Sequence, residues 1–112
     1  MSDLTQKKCV ACEGGVDPLS RDQAQELMKQ LNGEWRLSED GKRIHREWKF
    51  RNFFHTMSFV DAVAHIANAE DHHPDMAVSY GSCRIELTTH AIDGLSENDF
   101  IVAAKVDALP KT

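Results

Sequence analysis

The sequence has no surplus of positive charge: 13 lysines and arginines stand against 18 aspartates and glutamates, a formal net charge of −5. Phosphate backbones are bound by clustered cations, so this balance argues against nucleic acid as a direct ligand. No apolar run approaches the roughly 20 residues needed to span a bilayer. The opening Met1-Ser2-Asp3-Leu4-Thr5-Gln6-Lys7-Lys8 lacks the apolar stretch of a secretion signal. The expectation is a cytoplasmic protein whose thiols stay reduced. Cysteine is scarce, and three is an odd number that does not suit a closed disulfide framework. Cys9 and Cys12 form a lone Cys-x-x-Cys in a polar, glycine-bearing arm. They lack the second ligand pair of a zinc site and the strand-helix setting of a redox motif. Residues 1–18 therefore read as a flexible arm with incidental thiols, and residues 19–112 as a single domain. Internal repeats and low-complexity segments are missing as well.

What remains is ordinary globular material: 112 residues, 41% hydrophobic and 28% charged, enough for one core. Ser20 followed by Gln23 is a capping-box pattern, with Leu19 and Ala24 placed as a staple. Ala24, Leu27, Met28 and Leu31 then share a helical face until Gly33. Trp35 and Leu37 begin a strand, Asp40-Gly41 supplies a hairpin turn, and Ile44, Arg46, Trp48 and Phe50 alternate with polar residues. Asn52 can cap a long helix whose apolar stripe is Phe53, Met57, Val60, Ala64 and Ala67. That helix must end near His72, because a residue preceding proline is pushed out of the helical region. Met76, Val78 and Tyr80 alternate before Gly81-Ser82, and Cys83, Ile85 and Leu87 after it, with Cys83 read as a buried core thiol. Ser96 caps a last helix, with Asp99 at the reciprocal position and Phe100, Ile101, Ala104 and Ala108 on its apolar side. The order α-β-β-α-β-β-α predicts an α+β fold: a four-stranded antiparallel sheet with three helices on one face.

The candidate chemistry lies in three histidines. His72 and His73 sit together in Asp71-His72-His73-Pro74-Asp75, and His90 ends the run Ile85-Glu86-Leu87-Thr88-Thr89-His90. Imidazole gives or takes a proton near physiological pH at little cost. The long helix delivers the pair to its C-terminal end, where the helix dipole favours a cation, and Pro74 fixes the exit direction. His90 lies on the polar side of its strand, away from Cys83, Ile85 and Leu87. If the three rings converge on one pocket, they form an apparatus for proton transfer. Two other readings compete: surface histidines without a role, and a metal site completed by Glu70, Asp71 or Asp75. Adjacent histidines usually point apart, which counts against the metal. His45, His55 and His65 fall on solvated faces.

Asp71-His72-His73-Pro74 and Thr88-Thr89-His90, followed by Gly94-Leu95-Ser96 and Asp99, make the chain resemble the pterin-4a-carbinolamine dehydratase family. In animals that family is also known as the dimerisation cofactor of a homeodomain transcription factor. The likeness runs from about Trp35 to Leu109, and the family shares the element order derived above. The resemblance implies dehydration of 4a-hydroxytetrahydropterin to quinonoid dihydropterin, which restores the cofactor spent by aromatic amino acid hydroxylases. It implies no metal and no organic cofactor. By resemblance His72 and His90 are general acids and bases, His73 orients the pterin and Asp75 is a pterin-binding residue, while Thr89 and Asp93 are expected in the pocket for their closeness in sequence to His90. Many relatives carry glutamate where this chain has Asn68, and an aromatic residue where it has Met76. Relatives are dimers or tetramers, so a homodimer or homotetramer is expected, consistent with an open sheet edge. Two alternatives keep the fold: a binding or assembly protein without activity, and a dehydratase-like protein of molybdenum-cofactor metabolism.

Overall fold

A computed structural model describes residues 3–10 and 16–110 of the chain. Helix α1 spans Arg21–Met28 and opens with the expected capping box: the Gln23 amide donates to Ser20 Oγ at 3.1 Å, and Gln23 Oε1 accepts from the Ser20 amide at 2.8 Å. The chain then tightens into i→i−3 bonds from Lys29, Gln30 and Leu31 and reaches Gly33 as turns rather than as helix. The strands are β1 (Arg36–Leu37), β2 (Ile44–Lys49), β3 (Asp75–Ser79) and β4 (Ser82–Leu87), all antiparallel and ordered β1-β2-β4-β3. Between β1 and β2, Gly41 takes φ +71°, the left-handed conformation that the Asp-Gly turn predicts. The α+β architecture inferred from the sequence is the one observed.

The helix-covered face of the sheet carries Ile44, Cys83, Ile85 and Leu87, all fully buried. Burial raises the Cys83 thiol to about 11, so it stays protonated and serves as a small core side chain. Helix α2 (Phe53–Glu70) is capped by Asn52, whose side chain accepts from the His55 amide. Its buried face is Thr56, Phe59, Val63, Ala67 and Glu70, not the expected Phe53, Met57, Val60 and Ala64. Of the expected stripe only Ala67 is buried, and Phe53 and Ala64 are exposed. Two polar residues disguise the true face. Thr56 is satisfied by a hydroxyl whose single proton is shared between the carbonyls of Asn52 and Tyr80, and Glu70 by two partners described below.

Helix α3 (Glu97–Asp107) is buried from Asn98 through Ala104 and again at Val106, while Ala108, expected on its apolar side, is exposed. The run Phe100-Ile101-Val102-Ala103-Ala104 covers a whole turn with apolar side chains, which suits an interior. What covers the second side of α3 is the segment read as a flexible arm. Residues Asp3–Gln6 form a short 3-10 turn packed on α3, with Leu4 inside the core cluster. Burying a leucine contributes about 1.5–3 kcal/mol, enough to seat a short segment of chain. Residues 3–10 are thus docked along the domain. Cys12, the second thiol of the Cys-x-x-Cys, lies outside the described residues.

Candidate active site

Three pieces of chain build one cavity. The first is the exit from α2. Asp71 adopts a left-handed conformation (φ 53°), and the His72 amide donates back to the Ala67 carbonyl at 3.2 Å. This left-handed cap reverses the chain and turns His72 and His73 off the helix axis. The helix therefore stops at Glu70 with Asp71 as its cap, near His72 as expected. The second piece follows β4. Thr89 and Gly94 exchange backbone bonds of 2.8 and 3.4 Å, closing a loop whose His90–Ile92 form a 3-10 turn. His90 accordingly stands on that turn and not at a strand end. Gly94 is required there, because a Cβ would sit 2.6 Å from Pro18 Cβ. The third piece is the first turn of α3, with Ser96, Asn98 and Asp99.

The cavity encloses about 580 Å³, within the range of small-molecule sites. His72, His73 and His90 all line it, with Thr88 and Thr89. The structure does not bring Asp75 or Asp93 to this cavity. Asp75 is exposed at the start of β3, opposite Glu86. Asp93 is exposed in a left-handed conformation (φ 51°) and pairs with Lys42 at 3.0 Å. A second, smaller cavity beside Arg46, Trp48 and Asp107 contains none of the predicted site residues.

Asp99 was legible only as a helix cap, yet it organises the site. It is fully buried. Its Oδ1 lies 2.6 Å from His72 Nε2, while Oδ2 accepts from the Thr89 hydroxyl at 2.8 Å and from the Ser96 amide at 3.0 Å. A carboxylate accepts and does not donate, so this pattern assigns the His72 proton to Nε2 and leaves Nδ1 as the nitrogen free to exchange one. Since the Thr89 hydroxyl donates to Asp99, the 2.8 Å contact between Thr89 and Ser96 oxygens must have Ser96 as donor. His73 is held differently, with Nε2 at 3.0 Å from Asn68 Oδ1, the position where a glutamate was expected from the resemblance.

The remaining wall was not foreseen. Cys9, Val10, Glu70 and Asn98 also line the cavity. Glu70 is buried between the Lys105 ammonium (2.6 Å) and the Cys9 amide (2.8 Å), and these two partners hold its carboxyl below the ordinary 4.5. Burial and the neighbouring Glu70 push the Cys9 thiol up to about 12, so it is protonated and donates to the Asn98 carbonyl at 3.6 Å. Because the Glu70 carboxyl is lowered on folding, its stabilisation is full above pH 4.5 and is lost as pH falls through the folded-state value. Glu70→Gln should lower Tm at neutral pH, and the gap from wild type should narrow on acidification below 4.5. The loss should fall short of the about 3–5 kcal/mol typical of fully buried pairs, since the Lys105 side chain keeps 20% exposure. Thermal melts of both proteins across this range check it.

Comparison with known proteins matches the family model for pterin 4 alpha carbinolamine dehydratase to residues 17–109. The chain belongs to that family. A relative from Nitrosomonas eutropha is 57% identical over 107 residues, covering 96% of this chain and 93% of its own. One from Nitrosomonas europaea is 54% identical over 110 residues, covering 98% and 96%. Both are provisionally named pterin-4-alpha-carbinolamine dehydratases. The crystal structure of a transcriptional coactivator/pterin dehydratase from Brucella melitensis superposes with a TM-score of 0.77 at 28% identity, covering 82% of this chain and 97% of that one. A pterin dehydratase-like protein described as a RuBisCO assembly factor shares the fold, with a TM-score of 0.59 at 23% identity, 69% of this chain and 89% of that one. The family segment contains every histidine of the cavity, while Cys9 and Val10 precede it.

Proposed function

We propose that the chain is a pterin-4a-carbinolamine dehydratase acting on 4a-hydroxytetrahydropterin through His72, His73 and His90. The observation that carries this reading is the convergence of the three imidazoles on one cavity, with His72 fixed by a buried carboxylate. The reaction breaks the C4a–O bond, and the departing hydroxyl takes a proton and leaves as water. N5 loses its proton as the C4a=N5 bond forms. One imidazole in its charged form supplies the first proton and another in its neutral form removes the second, so no metal or organic cofactor enters. His72 and His90 carry these transfers, and His73, braced by Asn68, orients the ring by hydrogen bonding. Thr89 acts behind His72 by fixing Asp99. Asp75 and Asp93, which do not line the cavity, have no place in this scheme. The enzyme would work in the cytoplasm, downstream of an aromatic amino acid hydroxylase.

The test is dehydration of synthetic 4a-hydroxytetrahydropterin by the purified protein. A rate well above that of buffer supports the reading, and one equal to buffer leaves a binding or assembly role in its place.

The same proposal includes self-association. Phe53, Phe54, Val78 and Tyr80 are exposed, with Phe54 at 85% and Tyr80 at 68%, and the Phe53 and Tyr80 rings stack 6.3 Å apart beside the edge strand β3. An open edge flanked by apolar rings is suited to pairing with a second copy. Light scattering should give a dimer or tetramer of the 12.6 kDa chain, and a monomeric mass would sink this part.

A further inference from the structure

The histidine side of the cavity is polar, made by His72, His73, Thr88, Thr89 and His90. A pterin is a flat bicycle whose edge carries the hydrogen-bonding groups and whose two faces have little to offer them. Polar groups can fix the edge, but a face needs apolar contact to leave water favourably. The N-terminal segment supplies such contact. The Val10 side chain is 71% exposed and borders the cavity, with Cys9 next to it.

An exposed valine near a terminus would ordinarily carry no meaning, because termini are loosely held unless tied down. This one is tied down at both polar groups of its backbone. The Val10 amide donates to Asn98 Oδ1 at 3.1 Å, and its carbonyl accepts from Asn98 Nδ2 at 2.6 Å. The preceding residue is held as firmly, by the Cys9 amide on Glu70 and the Cys9 thiol on the Asn98 carbonyl. Asn98 and Glu70 are both buried polar side chains. Burying them costs free energy unless their hydrogen bonds are met, and here the main chain of two N-terminal residues meets them. Leu4 in the core and the 2.7 Å Lys7–Glu97 pair anchor the segment upstream. The result is a rigid backbone presenting an uncovered apolar side chain over a cavity.

We propose that Cys9 and Val10 form the apolar wall of the pterin pocket, with Val10 packing on the bound ring and setting substrate affinity. This rests on the dehydratase reading and adds to it a specificity element outside the segment 17–109 that the family model matches. The Nitrosomonas eutropha relative matches over 96% of the chain, whereas the Brucella melitensis structure leaves nearly a fifth of this chain unmatched.

Val10→Asp, made in the full chain, tests the proposal. The side chain is exposed, so Tm should not move. KM should rise by about tenfold, the scale of losing one apolar contact, with kcat nearly unchanged because no reacting group is touched. Val10→Ile should keep the wild-type KM. Binding of a stable dihydropterin, followed by fluorescence, gives a readout that does not need turnover. If wild type dehydrates the substrate and Val10→Asp has the same KM, the wall is wrong and the dehydratase stands. If wild type lacks activity yet binds dihydropterin more tightly than Val10→Asp, the wall stands and the reaction is wrong. If wild type neither turns over nor binds a pterin, both are overturned.

Discussion

His72→Ala and His90→Ala should each lower kcat for pterin dehydration by about 10²–10⁴-fold, the usual contribution of a positioned acid or base. KM should change far less, because proton transfer acts on the transition state and not on ground-state binding. The two substitutions differ in their structural cost. His90 is exposed on its 3-10 turn, so its loss should leave Tm near wild type. His72 is bonded at 2.6 Å to the fully buried Asp99. Removing that ring strands one carboxylate oxygen, at a cost of roughly 1–3 kcal/mol. Rates must therefore be normalised to folded protein. If the two rings serve the two proton transfers of a single event, the double variant should be little slower than the slower single one. Near wild-type kcat in either single variant would leave the proposed chemistry without one of its proton carriers.

The element order could be read from the sequence because each element announces itself locally. Ser20 and Gln23 cap α1, Gly41 turns the first hairpin, Asn52 caps α2, and Cys83, Ile85 and Leu87 keep strict alternation. The burial of α2 could not be read in the same way. Phe53, Phe54, Met57, Phe59, Val60, Val63 and Ile66 leave the helix apolar on more than one side, so periodicity offers two stripes. The expected stripe is buried only at Ala67 and exposed at Phe53 and Ala64, and the buried face includes Thr56 and Glu70, which become acceptable inside only through the Tyr80 carbonyl, the Cys9 amide and Lys105. Those partners are remote in sequence, and no local pattern predicts them. The arm was misjudged for the same reason. Its one core residue, Leu4, has no periodic companions, and its other anchors are side chains of α2 and α3.

The cavity was more legible than its walls. Spacing and proline placed His72 and His73 at a helix end, and the histidines do share a cavity with Thr89. The resemblance pointed to Asp75, and closeness to His90 pointed to Asp93. Asp75 is exposed at the start of β3, and Asp93 is committed to a left-handed turn and to Lys42. Asp99 stayed hidden in the sequence because its pairing with Ser96 is fully accounted for as a helix cap. Its place directly before the apolar run Phe100-Ile101-Val102-Ala103-Ala104 carries it into the interior, and a buried carboxylate needs several donors. Ser96 supplies one, so others had to come from elsewhere.

Asp99→Asn should separate the structural from the chemical role of that carboxylate. The change conserves volume in a site with no exposure, so the fold should survive it, whereas Asp99→Ala would abandon the Thr89 hydroxyl, the Ser96 amide and His72 together. Asparagine brings one acceptor and one donor group in place of two acceptors. Its oxygen will turn toward Thr89 and Ser96, which are both donors, and its NH₂ will then face His72 Nε2. A donor at that position forces Nε2 to become an acceptor and moves the ring proton to Nδ1. The nitrogen available for exchange is then in the wrong state, and kcat should fall by up to roughly 10⁴-fold, the tautomer penalty seen when a histidine-orienting carboxylate becomes an amide. KM and Tm should stay close to wild type. Nitrogen NMR of the His72 ring reads the tautomer directly, with the protonated site shifting from Nε2 to Nδ1. A variant that shows this shift and still turns over at the wild-type rate would reduce Asp99 to a helix cap that happens to touch a histidine.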